Sequence, residues 1–371
     1  MKATEKLYTI DRAFDLNDQT RSLFVDSMKE MIEFHREHSP VYGGICNMNN
    51  FDANSIKSED DLWRVPHIIV EAFKERKLLS VPESEIEITY TSSGTSGHMS
   101  QTNWDHISHV RQDFTRSSIV ESYGLAEYDD EVNYLGFSYD PETGGQKGAA
   151  HAHTMYMKFA PARETFFAIH KGPDGNPVFN VDECIAKLDE YEASGLPLRV
   201  TGFPAFSYQT LKRLDELGKT YNFPDNSVLF SGGGWKVYTG QRIPFDEYAG
   251  MVERILGIPR GRIRDVYGMV EHGVPYMTCE AGHFHQSIYS RVFAVDPTTF
   301  RPLGEGEVGL LKLLTTYIRS VPAISILSTD LGATRTGCSC GRPSPYIELH
   351  GRGGVKKYAG CGISASQILG Q

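Results

Sequence analysis

Between Val181 and Tyr267 helical and strand-like segments alternate with little between them, which limits the fold more than any other feature of the chain. Helix-period patterns over 181–191, 206–217 and 245–256 each lead into a short strand-like run, at 196–201, 227–231 and 263–267. Strands separated by helices of ten or more residues form βαβ units, because a parallel neighbour is reached only by a long crossover. The pattern predicts an α/β fold with a parallel sheet covered by helices, its ligands gathered at the carboxyl ends of the strands. After Arg291 the helical patterns stop and short β-runs follow at 291–295, 308–314, 323–327 and 346–349. These predict a smaller antiparallel β subdomain at the end of the core.

Upstream, Asn17 and Asp18 can cap a helix whose positions Leu23, Phe24, Met28, Met31, Ile32 and His35 keep helical spacing. His35 is read as packed on that face. The helix should stop at His38-Ser39-Pro40, because the residue before proline is pushed out of the α region. Residues 61–77 predict a further helical region interrupted at Pro66. Asp105 opens the next helix, on which His106 and His109 stand three apart; solvent or core roles are expected for both. Val132, Tyr134, Leu135 and Phe137 mark a strand that runs toward the glycine-rich segment 143–148.

A chain of 371 residues, 40% hydrophobic and 23% charged, is long enough to bury a sizeable core. Its net charge of −10 speaks against binding to nucleic acid or to an anionic membrane surface. The start lacks the apolar core of a signal peptide, and no apolar run reaches spanning length. Six cysteines in such a length are not a disulfide framework, which predicts reduced thiols and a cytoplasmic setting.

The chemistry concentrates in five short segments. The β-rich run Ile86 to Tyr90 feeds Ser92-Ser93-Gly94-Thr95-Ser96-Gly97, where glycines let backbone N–H groups approach an anion and hydroxyls add donors. No Gly-Lys-Ser/Thr closes it, so it is not a Walker A loop. Ser231-Gly232-Gly233-Gly234-Trp235-Lys236 follows a strand, then Tyr267-Gly268-Met269-Val270-Glu271-His272, Ser328-Thr329-Asp330-Leu331-Gly332 and Gly351-Arg352. In this order the segments resemble the motifs of the adenylate-forming enzymes. The resemblance implies that the serine- and glycine-rich loop holds ATP phosphates and that adenine lies over Gly233 and Gly234 against Tyr267 and Gly268. It further implies that Glu271 holds Mg2+, that Asp330 accepts the ribose hydroxyls and that Arg352 closes the nucleotide site. His272 is carried as a further catalytic candidate. Val270 departs from the pattern, since threonine usually stands there.

Acyl-CoA synthetases of that superfamily continue into a C-terminal domain after the Gly-Arg, and the sequence predicts that this domain is lacking. The division expected is an adenylate-forming core over 1–350 and a short mobile tail over 351–371. From His38-Ser39-Pro40 to the tail, the chain resembles the acyl-protein synthetases of bacterial bioluminescence, including Cys338-Ser339-Cys340-Gly341 and the tail cysteine Cys361. That likeness implies ATP-dependent activation of a fatty acid to acyl-AMP, transfer to Cys361 and delivery to an acyl-accepting reductase. The residues agree, since Lys356 and Lys357 lie five and four positions before Cys361 and favour its thiolate. Two alternatives stand beside this: an acyl- or aryl-CoA ligase resembling phenylacetate–CoA ligase, and a catalytically silent binding subunit.

Cys279, His283, Cys338 and Cys340, with His285 nearby, can close a structural zinc site of Cys3His type. The alternative is a pair of buried thiols in a turn, with the histidines facing the acyl pocket or solvent.

Overall fold

The computed structural model of the chain describes residues 2–91, 100–144, 148–235 and 243–352. Its larger sheet has seven strands in the order Tyr276–Met277, Ile263–Tyr267, Val228–Gly232, Leu198–Gly202, Val132–Tyr139, Ala162–Lys171 and Pro177–Phe179. The five inner strands are mutually parallel and the two short edge strands antiparallel. Val132–Tyr139 is buried at every position, as expected of a strand covered on both faces. Helices Val181–Ser194, Pro204–Glu216 and Phe245–Leu256 connect these strands. They pack Leu188, Leu214, Val252 and Ile255 against the sheet residues Leu135, Val200 and Leu229. The inner strand Ala162–Lys171 and the edge strand Pro177–Phe179 were not anticipated. The first four residues of Ala162–Lys171 are exposed, which hides its apolar half from a pattern search.

The second sheet runs Phe284–His285, Tyr346–Arg352, Ser325–Arg335, Gly309–Thr315 and Ser290–Val295, all antiparallel. Ile68–Ile69 adds to Ser325–Arg335 in parallel. A β-bulge between Leu331 and Gly332 offsets the pairing of Ser325–Arg335 with Tyr346–Arg352 and leaves Asp330 opposite Arg352. A separate hairpin pairs Ile86–Thr91 with Gln101–Asp105 and carries the serine- and glycine-rich loop between its strands.

Helix Asp18–His38 starts in a capping box between Asn17 and Thr20 and buries Phe24, Met28, Met31 and Ile32. His35 is buried, with Nδ1 2.7 Å from Ser80 Oγ and Nε2 3.2 Å from the Ile318 carbonyl, a packed residue as read. Pro40 does more than end this helix. Ser39 caps a second one, Pro40–Met48, in which proline takes the first turn, where its missing N–H costs nothing. The helical region expected over 61–77 is instead a 3-10 turn at Glu59–Arg64, the strand Ile68–Ile69 and the single helical turn Ala72–Glu75. Its backbone partners come from elsewhere in the chain: Lys312 Nζ donates to the carbonyls of Trp63 and Val65, at 2.6 Å each. Arg291, buried in the second sheet, pairs with Glu59. Among the described residues no helix is long and apolar enough to cross a membrane.

Candidate active site

Two neighbouring parallel strands, Val228–Gly232 and Ile263–Tyr267, end side by side and supply the floor of the site. Asp265 ties them together, since its Oδ1 accepts from Ser231 Oγ at 3.2 Å and from the Val266 N–H at 3.0 Å. Beyond the first strand Gly233 and Gly234 take φ of 78° and 76°, the left-handed region that side chains disfavour. A Cβ on Gly233 would also stand 2.8 Å from the Phe203 ring. The backbone here must be bare, which suits a flat ring lying over it.

Tyr267 ends the second strand, and its hydroxyl donates to Asp330 Oδ2 at 2.9 Å, joining residues 63 apart in sequence. The tyrosine ring is held from behind by Tyr276, at 5.9 Å and 29°. Two motif residues are thus brought together by the meeting of the two sheets. Glu271 is 6% exposed. Burial pushes its carboxyl above the usual carboxylate range, opposed by a hydrogen bond from the Ser100 hydroxyl and by Lys74, while the charge on Asp330 adds to the rise. In sequence Ser100 follows the serine- and glycine-rich segment, and this hydrogen bond is what ties Glu271 to the hairpin strand side of that segment. A carboxylate here could offer the hard oxygen donor that Mg2+ takes. Ser92, Ser93, Gly94, Thr95, Ser96 and Gly97 themselves lie outside the described residues, as does Cys361. Arg352 is placed by its backbone, opposite Asp330.

Beneath the strand ends lies a cavity of about 140 Å3. Tyr90 and Trp104 of the hairpin, helix Gly148–Met155, helix His106–Ser122 and residues 268–270 and 273–275 enclose it. Its polar groups are engaged with one another. Gln112 donates to the Gly273 carbonyl at 3.0 Å and accepts from Arg116 at 2.7 Å, and Arg116 also pairs with Asp113 at 3.0 Å. His151 Nε2 is 2.8 Å from the Tyr90 hydroxyl, and burial pushes this imidazole down to about 4, so it is neutral at pH 7. His153 Nδ1 meets Ser138 Oγ at 2.8 Å, and its ring stands edge-on to Phe203 at 4.6 Å. The space left is bounded mostly by apolar atoms, which suits a hydrocarbon chain. Gly273 shapes one wall: with φ of 71°, a Cβ there would fall 1.9 Å from the Tyr317 hydroxyl.

Helix Gly148–Met155 was missed in the sequence. It has no apolar stripe, yet its Ala149-Ala150-His151-Ala152-His153 run of helix-compatible residues after a glycine segment was the available signal. His272 is placed away from the cavity lining. It is 1% exposed, its Nε2 lies 2.8 Å from the Tyr276 hydroxyl, and burial pushes it down to about 3. His106 is exposed and 3.1 Å from Glu87, while His109 lies 4.0 Å from Asp113. At the other end of strand Tyr276–Met277 the predicted thiols converge, with one correction. Cys279, Cys338 and Cys340 gather around His285, their donor atoms all within 4.8 Å of one another. His283 stands to the side, because its ring stacks on Tyr346 at 4.2 Å.

The fold is that of the adenylate-forming ligases. The chain superposes over 92% of its length on 71% of a 2-hydroxyisobutyryl-CoA ligase in an open conformation, with a TM-score of 0.68 and 16% identity. In sequence it is 24% identical to a long-chain-fatty-acid–luciferin-component ligase of Vibrio harveyi, over 92% of this chain and 87% of that one. A phenylacetate-coenzyme A ligase of Thermus thermophilus is 22% identical over 88% of this chain and 68% of its own. Residues 7–370 match the family described as acyl-protein synthetase, LuxE, and the chain belongs to that family.

Proposed function

We propose that this protein is an ATP-dependent fatty-acid ligase that forms an acyl-adenylate and passes the acyl group to its own Cys361. The observation that carries the proposal is the junction of two sites: an apolar cavity opens beneath the same glycine-rich strand ends that stand beside Tyr267 and Asp330. A carboxylic acid whose chain fills the cavity presents its carboxylate where the α-phosphate of a nucleotide lying over Gly233 and Gly234 would be. A carboxylate oxygen attacks the α-phosphorus, the bond to the β-phosphate oxygen breaks, and pyrophosphate leaves. The Cys361 thiolate then attacks the acyl carbonyl carbon, the carbonyl–phosphate bond breaks, AMP leaves, and the thiol proton goes to solvent.

Positioning and charge neutralisation dominate such a step. Asp330 holds the ribose, oriented by the Tyr267 hydroxyl. Ser92, Ser93, Gly94, Thr95, Ser96 and Gly97 cradle the phosphates, and Arg352 closes the nucleotide site. Glu271 would hold Mg2+, which neutralises phosphate charge. His272 contributes by position, bracing Tyr276 behind the Tyr267 ring. The product thioester suits delivery to an acyl-accepting reductase. The relatedness to a phenylacetate-coenzyme A ligase favours a second reading, release of the acyl group to coenzyme A.

The test is pyrophosphate release from ATP with fatty acids of increasing chain length, followed by intact-protein mass and hydroxylamine treatment. A hydroxylamine-sensitive acyl adduct is expected without coenzyme A. An acyl product that forms only with coenzyme A supports the second reading, and no pyrophosphate with any acid overturns both.

A further inference from the structure

We propose that Cys279, His285, Cys338 and Cys340 bind one zinc ion that staples the end of the parallel sheet to the second sheet. The Cys279 and Cys338 sulfurs are 3.7 Å apart. Two thiolates on one tetrahedral zinc, at about 2.3 Å each, stand about 3.8 Å apart. A disulfide would need about 2.05 Å, and the two thiols are free. Cys340 Sγ is 3.3 Å from His285 Nε2, near the roughly 3.6 Å that one sulfur and one imidazole nitrogen take around the same ion.

The surroundings are those of a metal-binding imidazole. His285 Nδ1 faces the Ser344 carbonyl at 3.0 Å and its hydroxyl at 2.8 Å. That contact fixes the tautomer with Nδ1 protonated and points the Nε2 lone pair at the thiols. His283 Nδ1 lies 3.2 Å from Cys338 Sγ, placed to donate to a thiolate rather than to bind the ion itself. Arg342 and Arg264 both pair with Glu280, beside Cys279, so positive charge lies next to the thiol cluster. Cys279, His285 and Cys338 are buried. Four protein donors with no open position make a structural centre, and a sulfur-rich tetrahedral set selects zinc.

The location gives it a task. Cys279 lies in the turn after Tyr276–Met277, and His285 lies in the strand that pairs with Tyr346. Cys338 and Cys340 lie in the loop before Tyr346–Arg352. The ion would therefore set the register of the strand that brings Arg352 opposite Asp330.

The test uses the full chain purified under reducing conditions without a metal-affinity tag. Elemental analysis should find about one zinc per chain. Stripping it with a chelator should make three of the six cysteines newly reactive toward a thiol reagent, and zinc should protect them again. Cobalt(II) in its place should show thiolate charge-transfer and tetrahedral ligand-field bands. His285→Ala should lose cobalt or change those bands, whereas His283→Ala should keep them with affinity reduced within about tenfold. A folded wild-type chain that binds no zinc after reconstitution, or that takes iron in preference, overturns the proposal, whatever the variants do. So does loss of the cobalt spectrum in His283→Ala with its retention in His285→Ala.

Discussion

Asp330→Ala should weaken ATP binding by an amount set by hydrogen bonds alone. The Asp330 carboxylate is the acceptor assigned to two ribose hydroxyls, and a hydrogen bond to a charged group contributes about 1.5–3 kcal/mol. Two at the lower end come to about 3 kcal/mol, on the order of a hundredfold in affinity. Tyr267→Phe keeps the ring against Tyr276 and removes only the hydroxyl that donates to Asp330 Oδ2 at 2.9 Å. Its effect is to loosen the carboxylate, worth about 1 kcal/mol, or roughly fivefold. Because the hydroxyl acts through Asp330, the double variant should bind ATP no more weakly than Asp330→Ala. The assay is the KM for ATP in pyrophosphate exchange, with direct calorimetric titration as a check. Two results would refute the reasoning. One is an Asp330→Ala protein with parental ATP affinity. The other is a double variant whose loss is the product of the two single losses, which would give the Tyr267 hydroxyl a role independent of Asp330.

Glu271→Gln should cut pyrophosphate exchange by about 10²–10³, the scale for removing one preorganised electrostatic contact. The same change should alter stability with a definite sign. Burial raises the folded-state carboxyl above its unfolded value, so the native protein binds the extra proton and its stability falls as pH rises between the two. Thermal melts should show the glutamine variant free of that decline and the more stable of the two above the window; identical pH profiles would contradict the burial effect. Cys361→Ser should keep pyrophosphate exchange but lose the acyl adduct in intact-protein mass analysis, since a hydroxyl lacks the thiol's acidity; an adduct that persists moves the acceptor elsewhere. Ala152→Phe adds a ring to the cavity lining and should shift acyl preference to shorter chains in a competition among fatty acids; an unchanged preference places the chain outside the cavity.

The parallel sheet was legible because its strands and helices obey simple periods: Phe245–Leu256 and Ile263–Tyr267 fall where the pattern put them. The residues proposed to hold the nucleotide stand out in the sequence as short motifs, and the structure joins two of them through the Tyr267–Asp330 hydrogen bond. The cavity was not legible. Its walls come from segments whose local sequence says little, such as helix Gly148–Met155 with its alanines and histidines, and they meet only through the fold. The region 61–77 failed for a related reason, since Lys312 and strand Ser325–Arg335 supply partners that no local propensity reveals. Sequence spacing pointed to His283, whereas the donor atoms gather around His285, a placement that depends on the antiparallel pairing of His285 with Tyr346.

The pairing of Arg352 with Asp330 sets a tether length. Cys361 lies nine residues beyond Arg352. A fully extended chain of that length reaches about 30 Å. One thiol confined to a sphere of that radius has an effective concentration on the order of 10 mM. With Cys361 as acceptor, loading is therefore first-order in protein: dilution should leave its rate unchanged, and a free thiol must approach that concentration to divert the acyl group. Under the same proposal a loaded Cys361 would stay within that radius of Arg352, so an acyl-accepting enzyme would have to come to this surface to collect its substrate.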